Sequence, residues 1–190
     1  MKIELTHCFL NQCHDIDQLL DSCYKLSTFC SRLERQSELH PDRYEPNLYK
    51  GDGFELFVEA LLKLSPVDNR LGISEYRVVE GQDVGVDGSG VGFNGKTATV
   101  QVKYRGDHEY LLTANKDHLS NFVMASWLHY GVDRDDDYNM LIVTNGKGLH
   151  YFTETEMYGN KVRCIGNEVL RKIVDNNQAF WDSFRSLCGV

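Results

Sequence analysis

The segment from Thr97 to Tyr104 does most to limit what this 190-residue chain can fold into. Ala98, Val100, Val102 and Tyr104 fall on one side of an extended backbone, and Thr97, Thr99, Gln101 and Lys103 on the other. Strand side chains alternate with a period of two, so this is the pattern of a strand with one apolar and one polar face. Met140 to Val143 is apolar at every position, as in a strand covered on both faces. Between them, Asn115 to Tyr130 carries Leu119, Phe122, Val123, Ser126 and Trp127 at helical spacing. Upstream, Phe54, Phe57, Val58, Leu61 and Leu62 form one face of a helix from Gly53 to about Leu64, with Glu55 and Glu59 one turn apart on another. Tyr76–Val79 and Val84–Asp87 read as short strands. The order helix, three strands, helix, strand predicts an α/β fold with helices on both faces of a mixed central sheet.

The flanks are helical. From Asp15 to about Glu34, Leu19, Cys23, Leu26, Cys30 and Leu33 recur in steps of three and four, which predicts one helix with Asp15 as N-cap. That stripe could cover the body of the chain or offer a surface to a protein partner. His40–Pro46 contains two prolines and reads as a linker. We therefore expect an N-terminal helical extension and linker over residues 1–46 and a main domain over 47–190. Lys161–Ile165 suggests a further strand, and Glu168–Leu187 one or two closing helices whose Phe180, Trp181 and Phe184 belong to a core.

Composition excludes several classes. No apolar run approaches the roughly 18 residues of a membrane span, so no membrane association is expected. Met1–Glu4 lacks the layout of a secretory signal. Six irregularly spaced cysteines suit free thiols in a reducing cytoplasm better than a disulfide framework. A net charge of -8 argues against indiscriminate coating of nucleic acid but not against a local basic cleft.

Two short segments carry the chemistry: Gln82-Asp83-Val84-Gly85-Val86-Asp87-Gly88 and Thr99-Val100-Gln101-Val102-Lys103-Tyr104. A carboxylate from Asp87, a side-chain oxygen from Gln101 and the backbone carbonyl of Val102 make a donor set for a hard divalent ion. Lys103, on the face of Gln101, places an ammonium where it can hold a phosphate or orient a water. Glu55 could reach the same ion; Glu59 is the alternative, and Asp83 is better suited to a supporting role. Gly88 to Lys96 connects the two segments as a hairpin with an Asn94-Gly95 turn signal. A strict two-residue turn would set Asp87 opposite Val102, away from Gln101 and Lys103. A three-residue loop or a bulge would bring Asp87 onto their face, and we expect that irregularity.

Gly53-Phe54-Glu55, Asp83–Asp87 and Gln101-Val102-Lys103 together resemble the restriction-endonuclease-like PD-(D/E)XK superfamily. The resemblance is to its Mrr-like branch and to nuclease domains joined to viral helicases, and covers roughly Asn47 to Asn145. That branch carries Gln where most relatives have an acidic residue, and Val86 stands here where the superfamily's name has proline. The resemblance implies an αβββαβ core and Mg2+-dependent cleavage of DNA, with Mn2+ as a substitute. Asp87 and Gln101 would be ligands, Lys103 catalytic and Glu55 supporting. Restriction, defence, recombination or viral genome processing is the implied setting, and a homodimer with one site per strand fits it.

Lys96, Arg105, Lys116 and Lys147 are the candidates to line a phosphate-binding cleft, with surface lysine as the plainer reading. Asp133–Asp137 reads as a solvated acidic loop. His7-Cys8 and Cys13-His14 invite a zinc reading, but their spacing is not that of the usual zinc sites. Two rival functions keep the same residues: a catalytically inactive DNA- or protein-binding module of the same fold, and an RNA nuclease.

Overall fold

The computed structural model describes residues 3–13, 15–39, 41, 44–65, 70–79, 85–154, 159 and 161–190. Asp83 and His14, both considered above, lie outside the described residues. The elements in chain order are α1 (Phe9–Gln12), α2 (Ile16–Leu20), α3 (Leu26–Ser37), α4 (Pro46–Leu64), β1 (Ile73–Val78), β2 (Gly88–Gly92), β3 (Thr97–Lys103), β4 (Leu111–Leu112), α5 (Leu119–Leu128), β5 (Met140–Thr144), β6 (Gly148–Leu149), β7 (Val162–Ile165), α6 (Asn167–Val174) and α7 (Gln178–Cys188). They form two compact units, one of residues Met1–Leu64 with Glu168–Val190, the other of Ser65–Asn167. The proline-bearing stretch before Asn47 therefore lies inside the first unit.

The first unit is helical and aromatic. Phe29, Phe54, Phe57, Trp181 and Phe184 are all fully buried. Phe57 stacks on Phe54 with centroids 5.6 Å apart and meets Phe29 at 5.3 Å and Trp181 at 5.9 Å. The indole N–H, which needs a partner once buried, donates to the Val174 carbonyl at 2.7 Å. Asn177 caps α7 by accepting from the Phe180 N–H at 3.2 Å.

The single helix expected from Asp15 to Glu34 is two helices, α2 and α3, with a break between them. Ser22 takes a left-handed backbone at φ 49°, and the Arg32 guanidinium donates to the carbonyls of Leu19 and Asp21 left open there. Asp15 makes no side-chain capping bond. The apolar stripe is nonetheless buried at every position from Leu19 to Leu33, and Phe29 from the same helix joins the aromatic core. Pro46 opens α4 instead of ending a linker, since its missing N–H costs nothing at a first helical position.

The second unit is α/β. Its main sheet has the order β1-β2-β3-β5-β7. β1, β2 and β3 form an antiparallel meander, and β5 and β7 run parallel to β3. A parallel step from β3 to β5 needs a crossover, which contains α5. Leu119, Phe122 and Val123 of α5 pack with Val86, Met140, Ile142 and Val162 in one apolar cluster. β5 is buried throughout. β4 and β6 make a separate two-stranded parallel sheet.

The second strand is not where the sequence pattern put it. Gly85 to Asp87 is irregular, and the glycine-rich stretch read as a hairpin connection is itself strand β2. Glycine removes the alternation by which a strand is recognised, but the fold has a use for it. A Cβ on Gly88 would collide with the Tyr76 ring on β1.

Candidate functional site

The geometry begins with the turn. The Gly92 N–H donates to the Lys96 carbonyl at 2.9 Å and the Gly95 N–H to the Gly92 carbonyl at 3.0 Å. The loop is thus three residues, Phe93-Asn94-Gly95, with Gly95 at φ 74°, the common pattern for a three-residue hairpin. One residue beyond a two-residue turn shifts the register by one. Gly88 pairs with Val100 and Ser89 with Thr99, so Asp87 arrives beside Gln101. The predicted irregularity is present.

Asp87 is wedged between two strands just before β2. Its N–H donates to the Val100 carbonyl at 2.9 Å, and its carbonyl accepts from the Val79 N–H at 3.0 Å. The Asp87 N–H thus bonds the carbonyl of Val100, the residue that Gly88 pairs with, at the entry to β2. Among the described residues, the Asp87 carboxylate accepts on Oδ2 from Gln101 Nε2 at 2.6 Å and from the Val102 N–H at 2.5 Å. Gln101 is 2% exposed, and a buried amide requires such a partner.

This arrangement bears on the proposed donor set. In an extended strand the N–H and C=O of one residue point to the same edge. The Val102 N–H reaches Asp87, so its carbonyl is directed to that edge as well. Rotating the Gln101 amide by half a turn exchanges Nε2 for Oε1 beside the carboxylate. Two side-chain oxygens would then lie together, with a backbone carbonyl on the same edge, donor types that suit Mg2+ or Mn2+. Lys103 follows on the face of Gln101, and both open into a cleft of about 470 Å³ walled on its other side by α5. The end of β3 is held in place by Asn145. Its side chain accepts from the Arg105 N–H at 2.6 Å and donates to the Arg105 carbonyl at 2.7 Å. Deeper in the unit, Thr99 and Ser126 join hydroxyls at 2.8 Å and tie β3 to α5.

The cations singled out for a phosphate cleft are differently occupied. Lys96 sits at the hairpin end of β3, the end opposite Lys103, and pairs with Asp136 at 2.9 Å. Arg105 grips the buried carboxylate of Asp117. Lys147 pairs with Glu109 at 2.9 Å, both exposed. Lys116 is exposed. The acidic loop is thus partly neutralised by Lys96 and by Lys161, which meets Asp137 at 3.0 Å.

Glu55 and Glu59 belong to the first unit, and their environments differ. Glu59 is completely buried. Its carboxylate accepts from the Thr6 N–H at 2.8 Å, the Thr6 hydroxyl at 2.9 Å, the His7 N–H at 3.0 Å and Lys63 Nζ at 2.6 Å. A carboxylate so engaged anchors the N-terminal segment and is unsuited to the role of alternative ligand. Glu59→Ala strands those donors and should cost about 3–5 kcal/mol. That corresponds to a fall in Tm on the order of 10 °C for a chain of this size. A melt followed by circular dichroism that moved by less than about 2 °C would show the anchor to be dispensable.

Glu55 meets His7 Nε2 at 3.0 Å. Burial lowers the His7 pKa, but the hydrogen bond and charge of Glu55, with Asp52 and Glu59 beyond, leave it raised. The Phe9 N–H donates to the other ring nitrogen, Nδ1, at 3.2 Å, which holds His7 as the Nε2-protonated tautomer. Asp52 accepts from the Tyr44 hydroxyl. His7, Asp52 and Glu55 bring one potential ligand atom each within 4.8 Å of one another. The sequence reading missed this trio because it paired His7 with cysteines. The available signal was Asp52 and Glu55 one turn apart on a helix. Cys13, from the zinc reading, instead contacts the Tyr49 hydroxyl at 3.4 Å.

No family model, curated protein or solved structure matches the chain. Among the described residues, no helix is long and apolar enough to cross a membrane.

Proposed function

We propose that this chain is a divalent-metal-dependent nuclease that hydrolyses phosphodiester bonds in DNA, on a core of the restriction-endonuclease-like kind. One observation carries the reading. The three-residue turn sets the Asp87 carboxylate against Gln101 and the backbone of Val102, with Lys103 on the same face in an open cleft. In chain order α4, β1, β2, β3, α5 and β5, with only the short β4 of the second sheet between β3 and α5, support an αβββαβ reading. Asp87, the Gln101 amide oxygen and the Val102 carbonyl would hold Mg2+, with Mn2+ as substitute. An ion held there would supply Lewis acidity, lowering the pKa of a bound water and offsetting charge on the phosphate.

The chain's own residues do the rest. Asp87 and Gln101 fix where the phosphate oxygen can approach. The Lys103 ammonium, half-buried and on the same face, binds a non-bridging oxygen and stabilises the charge that grows there during attack. Burial of Gln101 limits water at the floor of the cleft and strengthens these interactions.

A second reading is a DNA- or protein-binding module that has kept the fold without the chemistry. The neutral side chain at 101 and the net charge of -8 are what favour it. The deciding experiment incubates the protein with Mg2+ or Mn2+ and supercoiled, linear, single-stranded and branched DNA, with RNA as a parallel arm. The nuclease reading expects metal-dependent cutting of at least one DNA form. Cutting of RNA alone would move the substrate. Binding without cutting of any form would favour the module.

A further inference from the structure

We infer that the outward face of α5 forms a groove that holds the phosphodiester backbone of the nucleic-acid strand being cut. His118 and Asn121 would contact the phosphate next to Lys103, and His129 one further along. The inference rests on the reading of the Asp87–Lys103 site as one that acts on nucleic acid.

The cleft that contains Gln101 and Lys103 is lined across from them by His118, Asn121, Met124, Leu128 and His129. His118, Asn121, Met124 and Leu128 recur at three and four residues and so share one side of the helix, and His129, the C-cap, follows directly on Leu128. Among the described residues, no hydrogen bond or ion pair engages the side chains of Lys103, His118, Asn121 or His129. That contrasts with Lys96, Arg105 and Lys147, each of which is paired to a carboxylate. Four groups able to donate hydrogen bonds thus converge on one open cleft without an acceptor among the described residues. Met124 is 46% and Leu128 62% exposed, apolar surface between the polar groups that suits sugars and bases. At 1.5 Å per residue, His118 and His129 stand about 16 Å apart along the axis. That length spans about five nucleotide steps at 3.4 Å each along one strand.

His118 stands at the start of the helix. It occupies the N-cap position of α5 in a left-handed conformation, at φ 55°, and makes no side-chain capping bond. That conformation is uncommon for a residue with a Cβ, although His is among the types enriched in it, and Ser, Asp or Asn would cap the helix. His118 is exposed and makes no cap, and its side chain lines the cleft.

The test measures binding apart from cleavage, by fluorescence anisotropy of labelled single-stranded DNA, duplex DNA and RNA in buffer containing EDTA. His118→Gly removes the imidazole while relaxing the backbone, and Leu128→Glu places a negative charge on the wall. Both should weaken binding about tenfold. His118→Gly should leave the Tm unchanged or raise it, whereas a residue that merely supported the fold would lower stability and binding together. The arm with the larger loss identifies DNA or RNA as the ligand. If wild type binds and both variants bind equally well, the groove is overturned while the Asp87 site stands. If wild type binds neither nucleic acid, the groove is overturned too. Divalent-metal binding that is lost in Asp87→Ala would then still support the metal site itself.

Discussion

Replacing Asp87 by alanine should lower metal-dependent cleavage by about a thousandfold or more, because the only carboxylate in the proposed donor set is lost. The same carboxylate accepts the Val102 N–H and the Gln101 amide, so the alanine variant also leaves two donors unpaired. That costs about 1–3 kcal/mol of stability for each truly buried donor. Asp87→Asn separates the two effects, since it keeps an oxygen beside Val102 while removing the charge. Asp87→Asn should therefore melt closer to wild type and remain inactive. Lys103, which meets no acceptor among the described residues, should on replacement by alanine leave the Tm within about 2 °C and lower kcat about a hundredfold to a thousandfold. Rates from single-turnover cleavage, read beside melting curves, check both. Activity in Asp87→Asn within tenfold of wild type would remove the carboxylate from the chemistry.

Gln101→Glu is the second large effect. In the wild-type chain the Gln101 amide lies 2.6 Å from the Asp87 carboxylate as a donor. A glutamate at the same 2%-exposed position brings two carboxylates into contact. Without a cation the pair must share a proton, so its pKa rises. The folded state then binds more protons than the unfolded one, and the deficit is full at neutral pH and shrinks on acidification. A cost of about 3 kcal/mol at pH 7 in EDTA is expected, a fall in Tm on the order of 10 °C. Adding Mg2+ should restore most of it, because the cation offsets both charges, and the Mg2+-induced rise in Tm should exceed that of wild type. A variant that melts like wild type in EDTA, or gains nothing from Mg2+, would show that these two side chains do not face a common cation.

The parts of this arrangement that are legible in the sequence are those set by local periodicity. The alternation from Thr97 to Lys103 is enough to put Gln101 and Lys103 on one face, and the apolar run at Met140–Val143 marks a strand that is indeed buried throughout. Hairpin chemistry is legible too, since Asn94-Gly95 accommodates a left-handed residue, and the length of the loop decides the register. Other features depend on contacts far apart in sequence. Periodicity runs straight through Ser22, because the stripe from Leu19 to Leu33 is buried whether or not the helix breaks there. Nothing in the spacing of Glu55 and Glu59 shows that Glu59 is sealed by Thr6, His7 and Lys63. The joining of α3 and α4 with α7 in one aromatic core rests on Phe29, Phe57 and Trp181, which are far apart along the chain. Glycines hide β2 because they lack the side chains whose alternation identifies a strand.

The most direct test of the central claim is a calorimetric titration of Mn2+ into wild-type protein and into Asp87→Ala, both shown to be folded. The account predicts a binding event in wild type that weakens at least about tenfold in Asp87→Ala, the loss of one charged ligand. The same affinity in both proteins would place the cation elsewhere, and no binding to either would leave Asp87 and Gln101 as a structural hydrogen bond.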